Sequence, residues 1–319
     1  MKLGIDLGGT NLRAAVFDDT GDAPREIHKE RVGDDRDPEA IVSRIADLVT
    51  RFAGDATAVP VGVGIAAMLR DRRGTVANSP HLRWRDVAFG ALLAKRLGSR
   101  FRLGIYNDVN AVVWGEAVAG SARGCRDVLG VYVGTGIGGG VISGGQLVEG
   151  ASNCAGEIGH AKVRWDETAE PCACGQRGCI EAYVGGSYVE RRIHAELAKR
   201  PKALPVQLAG KAEDVTPSHV DTAAASGDEW SLGLWTELST LFAVVLANTL
   251  AVLNSERLVL GGGLLGRAPT LYELVETALM VAAPVATTEA LTVVPATLGD
   301  DAGLVGAAAL AASGVSIID

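Results

Sequence analysis

The fold of this chain is indicated by a stretch close to its start, Leu3-Gly4-Ile5-Asp6-Leu7-Gly8-Gly9-Thr10. An apolar run closed by a Gly-Gly-Thr turn and followed by a second apolar run, Leu12–Phe17, predicts a β-hairpin. A related pattern recurs where Leu129–Val133 leads into Gly134-Thr135-Gly136 and then Gly139–Ile142. The recurrence favours an internal duplication in which each half opens on a glycine-rich hairpin. Two unrelated hairpins are the alternative, because glycine is common in turns.

Working outward, helical and strand-like segments alternate along the chain, which predicts an α/β protein. The segments with helical spacing are Pro38–Ala53, Val87–Leu97, Asp108–Gly120, Trp230–Asn254 and Ala302–Ala312. Further strands are predicted at Val61–Ile65, Leu103–Asn107 and Arg257–Leu260. The segment Lys199–Ser226, with three Pro and scattered charges, is expected to be the least regular part.

Length and composition limit the classes of function. A chain of 319 residues, 48% of them hydrophobic, predicts about two domains with ample cores. The formal net charge of −8 argues against general nucleic-acid binding, which needs clustered Lys and Arg. Asp6 interrupts the first apolar run before a signal peptide could form, and we expect no membrane span. The predicted location is the cytoplasm, where crowded cysteines indicate metal rather than disulfides.

Three glycine-rich turns follow apolar strands: Gly8-Gly9-Thr10, Gly134-Thr135-Gly136 and Gly261-Gly262-Gly263. Such turns let backbone N–H groups approach a phosphate that a side chain would keep away. The sequence has no G-x-x-x-x-G-K-[ST] motif and no G-x-G-x-x-G that opens a first βα unit. A P-loop and a standard dinucleotide site are therefore excluded, and another kind of phosphate site is predicted.

Two aspartates lie at strand ends where phosphoryl-transfer chemistry could use them. Asp6 precedes the first glycine-rich turn and could orient water on Mg²⁺; capping of the turn is the alternative. Asp108 follows Asn107 where a strand gives way to a helix, so it could be a helix N-cap or a general base. Phosphoryl transfer to an alcohol needs a carboxylate that accepts the hydroxyl proton, and Asn107 could hydrogen-bond a polyol.

A cluster of soft ligands predicts structural zinc. Cys172, Cys174 and Cys179 have the spacing C-x-C-x4-C, and His160 lies upstream in Gly156-Glu157-Ile158-Gly159-His160. Three thiolates and one imidazole give the four ligands of a closed tetrahedral zinc site, with glycines that allow a tight loop. A cluster of inert thiols is the alternative.

Two glutamates flank these ligands. Glu157 and Glu181 could present carboxylates to sugar hydroxyls, and ordinary surface glutamates are the alternative. Cys125 and Cys154 have no evident partner and are expected to be ordinary buried cysteines.

Together these motifs resemble the ROK family of bacterial sugar kinases and repressors, and most closely its glucokinases. The matching stretches follow in family order, namely Asp6–Thr10, Asn107-Asp108, Gly134–Gly140, Gly156–His160, Cys172–Glu181, Leu260–Gly263 and Leu298–Gly303. The resemblance covers nearly the whole chain.

The resemblance implies a two-lobed, actin-like ATPase fold of the ribonuclease H-like type with duplicated halves. The lobes are expected at 1–107, completed by the C-terminal helix 302–319, and at 108–301 with the zinc loop. ATP, with Mg²⁺, is expected in the cleft between them. The ATP contacts it implies are Asp6, Gly8, Gly9, Thr10, Asn11, Gly134, Thr135, Gly136, Gly262 and Gly263.

The resemblance also implies Asp108 as the catalytic base, which would accept the proton of the hydroxyl that is phosphorylated. The expected substrate is a hexose phosphorylated at O6, and glucose is the first candidate. The sugar contacts it implies are Asn107, Glu157, His160 and Glu181, and the zinc ligands are His160, Cys172, Cys174 and Cys179. Family members are commonly homodimers, so a homodimer is expected here.

Two positions depart from the family pattern. Ala66-Ala67-Met68 stands where the family usually has Pro-Gly, so Ala67 replaces a glycine that lets backbone approach the sugar. This change bears on sugar preference and affinity and not on the reaction. Asn11 stands where a basic residue often follows Gly-Gly-Thr, which weakens a phosphate contact there.

Other functions remain open from the sequence. Kinases for N-acetylmannosamine, N-acetylglucosamine, fructose or allose share these motifs. Repressors of the family carry a helix-turn-helix domain before the first glycine-rich strand. That strand begins here at Leu3, so DNA binding is not expected. An actin-like ATPase without a transfer step is disfavoured by the cysteine loop and Asn107-Asp108.

Overall fold

The structure, a computed structural model, describes residues 1–318 and divides into two compact units. The first unit contains residues 1–126, 140–156 and 296–318, and the second contains residues 127–139 and 157–295. The helix predicted to begin at Asp108 lies in the first unit, as does the C-terminal helix.

Strands and helices alternate along the chain. The strands are β1 (Lys2–Leu7), β2 (Asn11–Phe17), β3 (Pro24–Arg31), β4 (Val59–Ile65), β5 (Met68–Leu69), β6 (Val76–Ser79), β7 (Trp84–Val87), β8 (Phe101–Asn107), β9 (Val128–Val133), β10 (Ile137–Ser143), β11 (Gln146–Leu147), β12 (Arg257–Gly261), β13 (Thr292–Pro295) and β14 (Ile317–Ile318). The helices are α1 (Pro38–Ala53), α2 (Phe89–Leu97), α3 (Asp108–Ala119), α4 (Glu181–Val184), α5 (Gly186–Leu197), α6 (Leu204–Ala209), α7 (Pro217–Ala225), α8 (Glu229–Leu253), α9 (Pro269–Ala282), α10 (Val285–Thr288) and α11 (Ala302–Ala312).

The first unit is built on a six-stranded sheet with the order β14-β8-β4-β1-β2-β3. β1 and β2 form the predicted antiparallel hairpin, whereas β1, β4 and β8 run parallel to one another. Parallel strands bring their carboxyl ends to one edge, so the segments that follow β1, β4 and β8 meet there. Asp6, Ala66 and Asp108 thus lie at the same edge of this sheet.

Two glycines in the sheet explain how α11 packs on it. A Cβ added at Gly4 would overlap the carbonyl of Leu304, and one added at Gly62 would overlap the carbonyl of Ala307. The backbone of α11 therefore packs directly on the sheet at these two glycines. Gly306 of α11 lies equally close to the carbonyl of Ala111 in α3. Close backbone approach of this kind is open only to glycine.

The opposite face of the sheet carries the larger apolar side chains. Leu3, Ile5 and Leu7 alternate with the residues that face α11 and belong to one core cluster with Ile41 and Ile45 of α1. α1 begins at an Asp37 N-cap, whose carboxylate accepts a hydrogen bond from Ala40 N. It ends before Gly54, so the predicted helix Pro38–Ala53 is confirmed at both ends.

The second unit repeats the strand pattern of the first. β12 runs parallel to β9 on one side and to β13 on the other, as β4 does between β1 and β8. β9 enters a glycine-rich turn as β1 does, and β10 begins in this unit at Ile137 and ends in the first unit. The same strand relations in both units agree with the predicted duplication.

α8 is the helix of the second unit that is long and apolar enough to cross a membrane. Its most apolar window has a mean hydropathy of 1.7 and is 44% buried. The helix packs against α7 and α9, and Trp235, Leu238, Phe242 and Leu246 are buried on it. The core helix of a globular unit can have the same length and composition, so these two properties are only weak evidence for a membrane span.

One prediction of secondary structure was wrong. The segment Lys199–Ser226, expected to be the least regular, contains α6 and α7. Pro205 and Pro217 lie in the first turns of these helices, where the missing N–H costs nothing and the fixed φ favours a helix. Thr216 and His219 complete a capping box at the start of α7.

Candidate active site

The first glycine-rich turn closes β1 onto β2. Gly8 N donates to Asn11 O at 3.0 Å, and Thr10 is exposed at the turn. A Cβ at Gly9 would lie 2.6 Å from the Cβ of His81, which belongs to the loop between β6 and β7. A side chain at position 9 would collide with His81, so glycine is required there even without a phosphate that needs close approach to the backbone. His81 was not identified from the sequence.

Asp6 lies at the end of β1 beside this turn. Burial raises the pKa of Asp6 to about 6, while Arg13 acts to lower it and Asp300 to raise it further. Arg13 is the cross-strand partner of Asp6 and donates to the carbonyl of Asp300 and to the carboxylate of Asp301. Sequence reasoning missed Arg13, although it shares a face of β2 with Asn11 by the two-residue period of strands.

Asn107 and Asp108 lie where β8 ends and α3 begins. Asn107 is the N-cap: its Oδ1 accepts from Val109 N at 3.0 Å and from Asn110 N at 3.1 Å. Its Nδ2 donates to Ala67 O at 3.2 Å, which ties the cap to the segment after β4. The capping alternative for Asp108 is thereby excluded, because Asn107 makes the cap and Asp108 is the first helical residue.

Ala67 is almost fully buried in this corner of the first unit, with 7% of its surface exposed. Its N–H donates to Ile65 O at 2.8 Å, and Ser79 Oγ donates to Ala66 O at 2.7 Å. The Ala66-Ala67 segment is therefore held by β6 and by Asn107 together. Its carbonyl is thereby fixed beside Asn107, the residue that precedes the predicted base.

In the second unit the four predicted zinc ligands come together. The ligand atoms of His160, Cys172, Cys174 and Cys179 all lie within 4.8 Å of one another. His160 Nδ1 is 3.8 Å from Cys172 Sγ, and Cys174 Sγ is 3.7 Å from Cys179 Sγ. Bonds of about 2.3 Å to sulfur and 2.0 Å to nitrogen give ligand separations of this size around a tetrahedral ion. The donor set and its spacing fit zinc. Cys125 and Cys154 lie outside this cluster, and the prediction that they are buried was wrong, because Cys125 is partly exposed and Cys154 is exposed.

The loop that carries the cysteines depends on two glycines. Gly175 and Gly178 have φ values of +86° and +76°, in the left-handed region that side chains disfavour. A Cβ at Gly178 would also overlap the carbonyl of Arg164. Lys162, which the sequence analysis did not identify, donates to Cys179 Sγ at 3.1 Å and to Arg177 O at 2.7 Å. A cation beside a thiolate offsets its charge.

The two predicted sugar-binding glutamates lie on either side of this cluster. Glu157 Oε2 is 3.7 Å from His160 Nε2, and burial raises the pKa of Glu157 while His160 acts to lower it. Glu181 begins α4, and its Oε2 accepts from Ile137 N at 2.9 Å. A Cβ at Gly136 would overlap this carboxylate. Glu181 therefore joins the cysteine loop to the second glycine-rich turn.

The second and third glycine-rich turns also meet in this unit. Gly262, with a φ of +93°, lies so close to β9 that a Cβ would overlap the carbonyl of Val133, and Leu264 N donates to that carbonyl at 2.9 Å. Gly186 N donates to Gly134 O at 2.9 Å, and Ser187 Oγ donates to Thr135 O at 3.0 Å. Backbone from three segments converges here.

A cavity of about 100 Å³ opens beside these turns. It is lined by Gly134, Thr135, Gly186, Ser187, Glu190, Pro217, Leu264 and Arg267. Only the first two were predicted as nucleotide contacts. Among the other lining residues, only Gly186 and Ser187 could have been found from the sequence, because they belong to a further glycine-rich run, Gly185-Gly186-Ser187. Pro217 and Arg267 reach the cavity from segments distant in sequence.

The predicted site residues are divided between the two units. The first holds Asp6, the Gly8-Gly9-Thr10 turn, Asn11, Asn107 and Asp108. The second holds Glu157, His160, the three cysteines, Glu181 and the other two glycine-rich turns.

Known proteins resemble this chain over nearly its whole length. The ROK family model matches residues 2–313. A glucokinase of Streptomyces coelicolor is 31% identical over 320 residues, covering 98% of this chain and 97% of that protein. The structure of a ROK family glucokinase from Streptomyces griseus, in complex with glucose and AMPPNP, has a TM-score of 0.77 and 28% identity, with 97% and 98% of the two chains covered. An N-acetyl-D-glucosamine kinase of Erwinia tasmaniensis is 31% identical, covering 83% of this chain and 84% of that one.

Proposed function

The chain belongs to the ROK family and has its actin-like ATPase fold; from this premise we propose that it is an ATP-dependent sugar kinase that phosphorylates a hexose at O6, with glucose preferred. The observation that carries the proposal is the placement of His160. One ring nitrogen faces Cys172 in the ligand cluster, and the other faces Glu157. The segment around His160 thereby presents an imidazole and a carboxylate, groups that are suited to hydrogen bonds with sugar hydroxyls.

The chemical step is assigned to Asp108. Its carboxylate accepts the proton of the O6 hydroxyl as that oxygen attacks the γ-phosphorus of ATP, and ADP leaves. The Asn107 cap fixes the first turn of α3 and so determines where Asp108 can lie. Removal of a general base typically lowers the rate by about 10²–10⁴.

Recognition of the sugar is assigned to Asn107, Glu157, His160 and Glu181. Carboxylates accept hydrogen bonds from O–H groups, and a site built in this way rejects an analogue that lacks a hydroxyl by as much as about 10⁴–10⁵. The carboxylate of Glu181 is oriented by the hydrogen bond that it accepts from Ile137 N. The carboxylate of Glu157 lies close to the His160 ring. These bonds hold the glutamates in place before the sugar arrives.

Binding of ATP is assigned to Asp6, Gly8, Gly9, Thr10, Asn11, Gly134, Thr135, Gly136, Gly262 and Gly263. The cavity beside Gly134 and Thr135 extends this assignment to Ser187, Glu190 and Arg267 in the second unit. Mg²⁺, held through the oxygen of Asp6 directly or by water, would neutralise charge on the phosphates. Carboxylate oxygen is the donor that this ion prefers, so Asp6 fits the role.

Zinc is assigned a structural role on His160, Cys172, Cys174 and Cys179. Four protein ligands leave no open position for catalysis, so the ion would only fix the loop. Sugar recognition is assigned to the side chains of Glu157, His160 and Glu181, whose positions depend on the conformation of this loop.

The experiment that tests the function is a coupled assay of ADP release over a panel of sugars. Glucose should give the highest kcat/KM among glucose, mannose, fructose, allose, N-acetylglucosamine and N-acetylmannosamine. 6-Deoxyglucose should bind without turnover, because it lacks the attacking hydroxyl. A higher kcat/KM with an N-acetyl sugar would favour the second candidate, an N-acetylhexosamine kinase, which the relative from Erwinia tasmaniensis supports. ATP turnover independent of any sugar would reject both.

A homodimer in the cytoplasm completes the proposal and rests on the family resemblance. Light scattering of the purified protein should give twice the mass of the 32.9 kDa chain. A monomer at micromolar concentration would contradict it.

A further inference from the structure

Arg13 connects two segments of the first unit that are distant in sequence. It lies on β2 directly opposite Asp6 of β1, and its side chain is 12% exposed. The guanidinium donates to the carbonyl of Asp300 and to the carboxylate of Asp301, 287 and 288 residues further along the chain. The residues immediately before α11 are thus attached to the strand pair that carries the first glycine-rich turn.

The start of α11 lies against Asp6. A Cβ at Gly303, the second residue of the helix, would lie 3.6 Å from Asp6 Cγ. Arg13 and Asp300 are both close enough to act on the ionisation of Asp6. Asp6, Arg13 and the first turn of α11 therefore form one packed cluster at the carboxyl edge of the sheet.

The carboxylate of Asp301 is paired across the fold and not with its own helix. Asp301 ends a 3₁₀ turn, Gly299–Asp301, that continues into α11, and its side chain makes no cap hydrogen bond. It pairs with Arg13 instead. Within residues 1–318 the buried Nε of Arg13 has no hydrogen-bond partner. The pair thus links the start of α11 to β2.

We propose that Arg13 is a positioning residue for phosphoryl transfer, which holds Asp300, Asp301 and the first turn of α11 so that Asp6 keeps the orientation required by magnesium–ATP. The inference rests on the proposed kinase function. It differs from a purely structural role, because the orientation of Asp6 matters to the bound nucleotide and not to the folding of α11. Misplacement of a catalytic group by about 1 Å can cost about 10² in rate.

The test compares Arg13→Met, Arg13→Lys, Asp301→Asn and the double variant Arg13→Met/Asp301→Asn with the wild type. Arg25→Met is the matched control, since Arg25 pairs with Asp18 in the same unit but at an exposed position. For each protein kcat, the KM for sugar, the Mg²⁺ concentration for half-maximal activity and the melting temperature are measured. The affinity for ATP with and without Mg²⁺ is measured by calorimetry, which needs no turnover.

Arg13→Met should lower kcat by about 10²-fold and raise the Mg²⁺ requirement by about tenfold, with the KM for sugar within about twofold of wild type. Arg13→Lys keeps the charge but not the two-pronged geometry, so it should recover only part of the loss. The double variant should be no worse than Arg13→Met, because Arg13→Met already removes the partner of residue 301. Arg25→Met should match the wild type.

Two results would overturn the inference. One is a lower melting temperature in Arg13→Met and Asp301→Asn with wild-type kcat and Mg²⁺ dependence. The other is calorimetry in which magnesium strengthens ATP binding equally in all variants. If Arg13→Met does not fold, Asp301→Asn, which preserves side-chain size, decides alone. A wild type without sugar-dependent turnover would reject the kinase function, whereas the calorimetry would still decide the role of Arg13.

Discussion

The Nε2 atom of His160 lies 3.7 Å from a carboxylate oxygen of Glu157. The other ring nitrogen of His160 lies 3.8 Å from Cys172 Sγ, so the imidazole stands between the ligand cluster and a glutamate predicted to bind sugar. When one imidazole nitrogen binds a metal, its other N–H is oriented by a partner such as a carboxylate. The geometry therefore places a single side chain between the proposed metal site and a proposed sugar-binding carboxylate.

Zinc content is the first prediction. Elemental analysis of freshly prepared, chelator-free protein should give about one zinc per chain. Cys174→Ser should lose most of it, and the sugar kcat/KM should fall with it because Glu157, His160 and Glu181 lose their support. Cys154→Ser is the control, since Cys154 lies outside the cluster and its thiol donates a hydrogen bond to Ser152 O. A wild type without metal would refute the assignment.

Lys162 should slow the loss of that zinc. Three thiolates, one imidazole and Zn²⁺ carry a net charge of −1, which the ammonium 3.1 Å from Cys179 Sγ offsets. Loss of a residue that supports a metal ligand typically costs about 10–100-fold in metal affinity. Lys162→Met should therefore release zinc to a chelator about tenfold faster than wild type, and Lys199→Met, an exposed lysine, should not. Equal rates for both variants would show that Lys162 only binds the Arg177 carbonyl.

Asp108→Asn should lower kcat by about 10²–10⁴ with little change in sugar affinity. The amide preserves the shape of the side chain but cannot accept the hydroxyl proton, and Asn107 still caps α3. Stopped-flow or steady-state kinetics measure the loss, and calorimetry measures sugar binding. Asp127→Asn is a control for carboxylate loss, because Asp127 precedes β9 in the second unit. Near-wild-type kcat in Asp108→Asn would refute the base assignment.

Ala67→Gly should improve turnover of N-acetyl sugars relative to glucose. The methyl of Ala67 is buried and held by the hydrogen bond from Asn107 to the Ala67 carbonyl, so it cannot move aside for a larger substituent. The ratio of kcat/KM for N-acetylglucosamine to that for glucose measures the effect. Ala66→Gly serves as the neighbouring control. An unchanged ratio would mean that this methyl does not determine the preference.

Asp6→Asn should stabilise the protein without nucleotide above about pH 6. Burial raises the pKa of Asp6 from an ordinary 3.8 to about 6, so the folded state favours the protonated carboxyl. The stabilisation from that proton is complete below about pH 4 and is lost as the pH rises through 6. The difference corresponds to about 3 kcal/mol, and the neutral amide avoids this cost.

Thermal unfolding from pH 4 to pH 8 measures the effect. The gain in Asp6→Asn should be largest at pH 7–8 and shrink toward pH 4, while kinase activity falls. A pH-independent difference between the two proteins would contradict the prediction. Asp18→Asn, at an exposed carboxylate of the same unit, supplies the control.

The family and its fold were predictable because local patterns specify them. A strand, a glycine-rich turn and a second strand are read directly from residues 3–17, and the helices Pro38–Ala53 and Ala302–Ala312 were predicted with the bounds they have in the structure. The C-x-C-x4-C spacing brought the cysteines of the ligand cluster together on one loop, and His160 joined them. Periodicity and ligand spacing act over a few residues, so no tertiary information is needed.

Tertiary structure alone decided the partners that are distant in sequence. Arg13 meets Asp301 because α11 packs on Gly4 and Gly62, and no local pattern reveals a pair 288 residues apart. The same holds for Pro217 and Arg267 at the cavity beside Gly134, and for the hydrogen bond from Asn107 to the carbonyl of Ala67, 40 residues away in sequence. Side-chain packing and hydrogen bonds across the sheet select among options that local propensity leaves equal in free energy.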